Sequence, residues 1–269
     1  MASTPAHPSI VIFPGAWHPA MCMAALVDSL QRIGFAAEAH TLRSVGDPAA
    51  GVADDAAHML AVMRPLLDAG KDVVLVAHSY AGFPATSAIS GLARRSRRAK
   101  NGSQTASGGV LGIIFLAGFV PVQGDSIYGL IGETWLPWQT PQEPKGLITV
   151  LDPRSVFYGD CSEDSAAPVM ARLKGHSIKA FRGDDAIPHR IGWADEGFNG
   201  KRAYVRCTMD KALEFPAQEL FTARTGLDWI LKTMEASHSP FMSMPDATAR
   251  VVADVISEFQ AADAAATAP

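Results

Sequence analysis

Ser79 stands in Ala77-His78-Ser79-Tyr80-Ala81-Gly82, a run of mostly small residues around one serine. An apolar stretch, Asp72-Val73-Val74-Leu75-Val76, leads directly into it. Phe83-Pro84-Ala85-Thr86-Ser87-Ala88-Ile89 opens a helix directly after it. Strand, cramped turn with a central serine, then helix is the arrangement that lifts a serine Oγ clear of a sheet edge and aims the next backbone N–H at a reacting carbonyl. The chemistry it suits is nucleophilic acyl transfer. The common pattern places glycine two residues to either side of the serine. Here both positions, Ala77 and Ala81, are alanine, the smallest residue with a Cβ, and Gly82 lies alongside. The competing reading is a buried small-residue turn around an unreactive serine.

A serine hydroxyl is a poor nucleophile until a histidine takes its proton and a carboxylate orients that histidine. After a strand–serine–helix turn of this kind, the chain order is serine, acid, histidine. Of the eight histidines, His7, His18, His40, His58 and His78 precede Ser79, and His176 and His189 fall in a long mid-chain insertion. Only His238 follows the last expected strand, in Ala236-Ser237-His238-Ser239-Pro240. It is the candidate base; the alternative is an ordinary polar loop histidine. Asp210, at the end of Tyr204-Val205-Arg206-Cys207-Thr208-Met209-Asp210-Lys211, is the candidate acid. Asp228 is its rival, placed before a strand rather than after one, and Asp210 could instead be a turn residue paired with Lys211. The oxyanion of a tetrahedral intermediate needs two N–H donors. One is expected from Tyr80 and the other from Ala16, in the loop Pro14-Gly15-Ala16-Trp17-His18.

The elements that must position these groups alternate strand and helix. Strands are expected at residues 9–13, 37–42, 73–77, within 110–119, within 203–207 and at 229–234. Helical spacing follows the first strand, with Met23, Leu26, Val27, Leu30 and Ile33 on one face. It returns at residues 54–68, where Pro65 is expected to introduce a kink. A final helix carries Val252, Val255, Ile256 and Phe259, and Ser243-Met244-Pro245-Asp246 is a plausible start for it. This alternation implies a mostly parallel sheet covered by helices on both faces. Residues 1–120 and 201–269 would form that core, and residues 121–200 a helical cap over the carboxyl ends of the strands, where such sheets bind ligands. Trp17 and His18 from the first loop, with Trp135, Trp138, Phe157, Tyr158 and Trp193 from the insertion, are the expected walls of an apolar pocket. His18 could equally be a surface loop residue, and some of the aromatics would form the cap's own core. Residues 94–109 are basic, then rich in glycine and serine; a solvated helix end running into a loop is favoured over nucleic-acid binding, since no aromatics are interleaved.

Composition bounds the alternatives. Apolar residues make up 48% of the 269 and charged residues 19%, as in a soluble globular protein. A net charge of −4 makes no case for nucleic acid or an anionic membrane. Cys22, Cys161 and Cys207 are isolated, which argues against a disulfide framework or a structural zinc site and, weakly, for a reducing, cytoplasmic setting. No secretory signal and no apolar run of bilayer length is present. No HExxH or comparable metal-ligand cluster occurs.

Taken together, Pro14-Gly15-Ala16-Trp17-His18, the six residues around Ser79, Thr208-Met209-Asp210-Lys211 and Ser237-His238 resemble the α/β-hydrolase superfamily. The cap segment Phe157-Tyr158-Gly159-Asp160 narrows the resemblance to the hydroxynitrile lyase and plant methylesterase branch and its fungal and bacterial relatives. The likeness runs from Ile10 to Phe259. The chain departs from that pattern at Pro14, where histidine is usual, at the two alanines of the serine turn, and in the length of the 94–109 loop. The resemblance implies the α/β-hydrolase fold with a helical cap and no cofactor. The expected activity is hydrolysis of a small hydrophobic ester, lactone or thioester, such as an aromatic or polyketide-like metabolite, through an acyl-enzyme on Ser79. Two alternatives stay open. One is a lyase or cyclase using the same three residues for proton transfer, and the other a small-ligand receptor on the same fold. A small molecule is the only expected partner of a monomer or homodimer.

Overall fold

The computed structural model describes residues 7–94 and 108–267. The tract 95–107, on which most of the basic and glycine-rich reading fell, lies outside the described residues.

Three strands read as unbroken apolar runs because both their faces are covered: β1 (Ser9–Phe13), β3 (Val73–His78) and β4 (Val110–Leu116) are buried at every position. They form the centre of a six-stranded sheet, parallel throughout, in the order β2 (Ala37–Ala39), β1, β3, β4, β8 (Arg202–Cys207), β9 (Ile230–Met234). The two edges are blunted. β2 is shorter than expected, and β9 has exposed residues at alternate positions. Helices α1 (Ala24–Arg32), α2 (Val52–Asp68) and α3 (Gly82–Ala88) and the C-terminal helix Pro245–Thr267 flank the sheet. α2 continues through Pro65 to Asp68, and Ala69 N–H donates to the Pro65 carbonyl at 3.0 Å.

Strand order turns back between β1 and β3. In the register of these two strands Phe13 faces Ala77, so the loop after β1 and the turn after β3 leave the sheet side by side. Open α/β sheets place ligands at such a switch point. The insertion between β4 and β8 lies above it. Besides short helices at Ile127–Leu130, Pro153–Phe157 and Glu163–Met170, it contains a three-stranded antiparallel sheet: β5 (Gln139–Gln142), β6 (Leu147–Val150) and β7 (His176–Ser177). The cap is therefore not built of helices alone. Among the described residues no helix is long and apolar enough to cross a membrane.

Candidate active site

β3 ends at His78, a 3-10 turn covers Ser79–Ala81, and α3 starts at Gly82. Ser79 has φ of 56°. For a residue with a Cβ this left-handed conformation costs about 1–3 kcal/mol, held only by surrounding structure. Phe119 N–H donates to the Ser79 carbonyl at 3.1 Å. The close approach in this turn is at Gly82, where an added Cβ would lie 1.9 Å from the Phe119 carbonyl oxygen. That explains why Ala81 is tolerated: the position that cannot carry a Cβ is one residue later. Gly15 approaches from the β1 loop, and a Cβ there would sit 2.6 Å from Ser79 Cβ and 3.0 Å from Oγ. Tyr80 N–H lies ahead of the first hydrogen bond of its helical turn, and Ala16 N–H has no partner among the described residues.

Asp210 and His238 meet beyond the carboxyl ends of β8 and β9. His238 Nδ1–H donates to Asp210 Oδ2 at 2.7 Å, with both side chains buried. The other carboxylate oxygen, Oδ1, accepts from Ala212 N–H at 2.8 Å and Leu213 N–H at 2.9 Å. Gln218, fully buried, donates to Asp210 Oδ2 and exchanges hydrogen bonds with both backbone groups of Cys207. Asp228 is exposed in the turn before β9 and takes no part. The cap grips the histidine loop through Asp160, whose carboxylate accepts from Ser237 N–H at 3.0 Å and from the Ser237 hydroxyl.

Three further histidines act as buried neutral braces. His78 Nδ1 accepts from Gly15 N–H at 3.3 Å, so its Nε2–H is the proton that donates to the His238 carbonyl at 2.9 Å. One imidazole thus ties the β1 loop to the His238 loop, and burial holds its pKa well below 6.5. His18 Nδ1–H donates to the Ala16 carbonyl at 2.7 Å, leaving Nε2 to accept from the Tyr158 hydroxyl at 2.5 Å. Burial lowers its pKa to about 4. His176, on β7, accepts through Nδ1 from Trp17 N–H at 3.4 Å, and burial lowers its pKa to about 3. Trp17 itself is held at φ of 67°. None of these bracing roles was visible in the sequence, because each partner lies far along the chain or depends on ring orientation.

A largely apolar cavity opens onto Ser79. Trp17, Trp138 and Phe157 line it, as do Ala16 and Tyr80. Four residues expected in its wall do not. His18 is sealed between Ala16 and Tyr158, and Tyr158 is buried behind it. Trp135 packs on Tyr128 at 4.7 Å and under the Arg182 guanidinium. Trp193 donates to the Pro121 carbonyl at 3.0 Å and packs on Trp229. The rest of the wall comes from Phe119, Phe181, Leu136, Gln139, Ala212, Leu213 and the pair Ile127 and Ile131, none of which the sequence marked as pocket residues. The i, i+4 spacing of that pair was the one available signal. Among the described residues no group of three or more His, Cys, Asp or Glu side chains could hold a metal ion.

The sequence model of the alpha/beta hydrolase family matches residues 10–251. The chain belongs to that family, and it is an α/β-hydrolase enzyme. It is 26% identical to the "Probable hydrolase R7" of Phoma sp. over 260 residues, covering 92% of this chain and 98% of that one. To the "Alpha/beta hydrolase nvfD" of Aspergillus novofumigatus it is 24% identical, over 93% of this chain and 97% of that one. Among solved structures, a pyrethroid hydrolase from Sphingobium faniae superposes with a TM-score of 0.73 at 17% identity, covering 93% of this chain and 97% of that one. Polyneuridine aldehyde esterase superposes with a TM-score of 0.72 at 18% identity, covering 93% and 99%. At such identities these two structures show the fold alone.

Proposed function

We propose that this enzyme is a cofactor-free serine hydrolase acting on a small, largely apolar ester, lactone or thioester. The observation that carries the proposal is a braced Asp210–His238 pair whose histidine loop is tied to the serine turn by the side chain of His78, the residue before Ser79, with that serine held at φ of 56° in the wall of an apolar cavity. In this mechanism Ser79 Oγ attacks the carbonyl carbon while His238 Nε2 takes its proton. Asp210 stays ionised, fixes the tautomer through Nδ1–H and stabilises the imidazolium. The Ala16 and Tyr80 N–H groups hold the developing oxyanion. His238 returns the proton to the leaving alcohol or thiol. It then takes a proton from water, which attacks the acyl-enzyme carbonyl, and returns that proton to Ser79 Oγ as the acid leaves. The two fungal sequence relatives named as hydrolases support the hydrolytic reading, and the aromatic walls suit an apolar substrate.

Intact-protein mass spectrometry after exposure to a fluorophosphonate, with Ser79→Ala alongside and turnover of short p-nitrophenyl esters, tests this. One label on the wild type, none on the variant, and ester turnover are the expected results. Labelling without turnover would favour a lyase or cyclase using the same residues. An unlabelled, folded protein would sink the proposal.

A further inference from the structure

Gln139 is buried, and it lines the same cavity from the first residue of β5. Its Oε1 accepts from Leu136 N–H at 3.0 Å, and its own N–H donates to the Leu136 carbonyl at 2.8 Å. A backbone N–H can meet only the oxygen of an amide, so this contact fixes which way the side chain is turned. The oxygen is committed, and the NH2 group is left with two donors that have no partner among the described residues. Two other polar side chains of the wall are spent: Trp17 Nε1–H donates to the Ile148 carbonyl at 2.8 Å, and the Tyr80 hydroxyl donates to Asp55 at 2.7 Å. The Trp138 indole N–H is the other wall donor away from the serine without a partner among the described residues, and Gln139 variants leave it in place. In a wall dominated by Leu, Ile, Phe and Trp side chains, a fixed amide donor discriminates between bound molecules. A pocket uses few polar groups, and those it has set orientation and specificity.

Resting on the serine hydrolase reading above, we propose that Gln139 is a specificity residue. Its NH2 group donates to a keto or ether oxygen carried in the apolar part of the substrate, away from the scissile carbonyl. The substrate class is thereby an oxygenated hydrophobic ester, lactone or thioester rather than a plain hydrocarbon one. A buried donor that meets no acceptor loses its hydrogen bond to water without replacement, so the plain hydrocarbon analogue is disfavoured.

The test compares p-nitrophenyl esters of straight-chain acids with oxo-acid esters of equal length, the oxo group walked along the chain. The readout is the ratio of kcat/KM for each oxo ester to that of its hydrocarbon counterpart, in the wild type and in Gln139→Leu. Taking the ratio of ratios cancels the intrinsic reactivity of each ester. At one oxo position the ratio is expected to fall about tenfold in Gln139→Leu, the size of one net hydrogen bond. Gln139→Glu, which keeps the accepting oxygen and replaces the donors with an acceptor, is expected to lower it at least as far. If Gln139→Leu does not fold, Gln139→Met, unbranched and of similar length, takes its place. An unchanged ratio at every position, with esters still turned over, overturns the assignment of Gln139 while leaving the hydrolase reading intact. Folded wild type that turns over none of the esters overturns both.

Discussion

The hydroxyl of Tyr80 donates to Asp55 Oδ2 at 2.7 Å, tying the residue after the serine to a carboxylate buried on α2. Ser44 holds the same carboxylate twice, through N–H to Oδ1 at 3.0 Å and through its hydroxyl to Oδ2 at 2.5 Å. The Tyr80 ring stacks on Phe181 and meets His176 edge-on, so this one side chain joins the core to the cap. Removing the acceptor strands three buried donors. Asp55→Ala is expected to lower stability by about 3 kcal/mol and Tyr80→Phe by about 1 kcal/mol, read from urea denaturation. A loss of under about 0.5 kcal/mol in both would show that the network is slack.

Acid should destabilise this protein from a higher pH than carboxylates alone would. Burial lowers the pKa of His18 to about 4, of His176 to about 3 and of His78 well below 6.5. As pH falls below 6.5 the unfolded chain takes up protons at these residues that the folded chain refuses. The stability they confer is thus fully present above 6.5 and is lost between there and about 4, at up to about 1.4 kcal/mol per pH unit for each histidine. Asp55 works the other way. Burial raises its folded pKa, so between 3.8 and that value the folded state holds the extra proton and acid favours folding. His58, whose pKa partial burial also lowers, adds to the histidine side. Four histidines against one aspartate give a net loss, and urea midpoints that decline from pH 7 to pH 5 are the expected result. Constant midpoints across that range would contradict the buried-histidine account.

Asp210→Asn is expected to keep the fold, because an asparagine oxygen can still accept from the Ala212 and Leu213 N–H groups. It should nonetheless lower kcat by about 10³–10⁴-fold, since an amide favours the wrong tautomer of His238. Gln218→Leu should show the opposite balance, with a smaller loss of kcat and a larger loss of stability, about 2–3 kcal/mol, because the Cys207 backbone groups lose their partners. Steady-state kinetics beside thermal melts separate the two variants.

Two glycines near the serine should fail differently when given a methyl group. At Gly82 the new Cβ would meet rigid backbone at 1.9 Å, so Gly82→Ala should cost about 3 kcal/mol or more of stability. At Gly15 it would meet the Ser79 side chain at 2.6 Å. That contact yields only if the backbone of the serine turn or of the Gly15 loop moves, so the placement of Oγ is disturbed with it. The expected outcome is a loss of about 100-fold in kcat/KM, with a smaller drop in Tm than at Gly82, where the overlap is more severe. Equal effects on both readouts would mean that the two contacts are not distinct.

Local chemistry was legible along the chain. The apolar runs of β1, β3 and β4 announced central strands because burial on both faces removes any need for polar residues. The small residues around Ser79 announced a cramped turn. Asp210 and His238 were picked by their place after late strands, and the structure joins them while leaving Asp228 in solvent. What the tertiary structure alone decided is which way side chains face. A tryptophan in the insertion is equally apolar whether it points into the cavity, as Trp138 does, or into the seam between cap and core, as Trp193 does. The same holds for His18, His78 and His176, whose ring nitrogens acquire their roles only from partners brought up by folding. Composition and spacing encode burial and backbone conformation. They do not encode the packing of one element on another, and that packing makes the walls of this cavity.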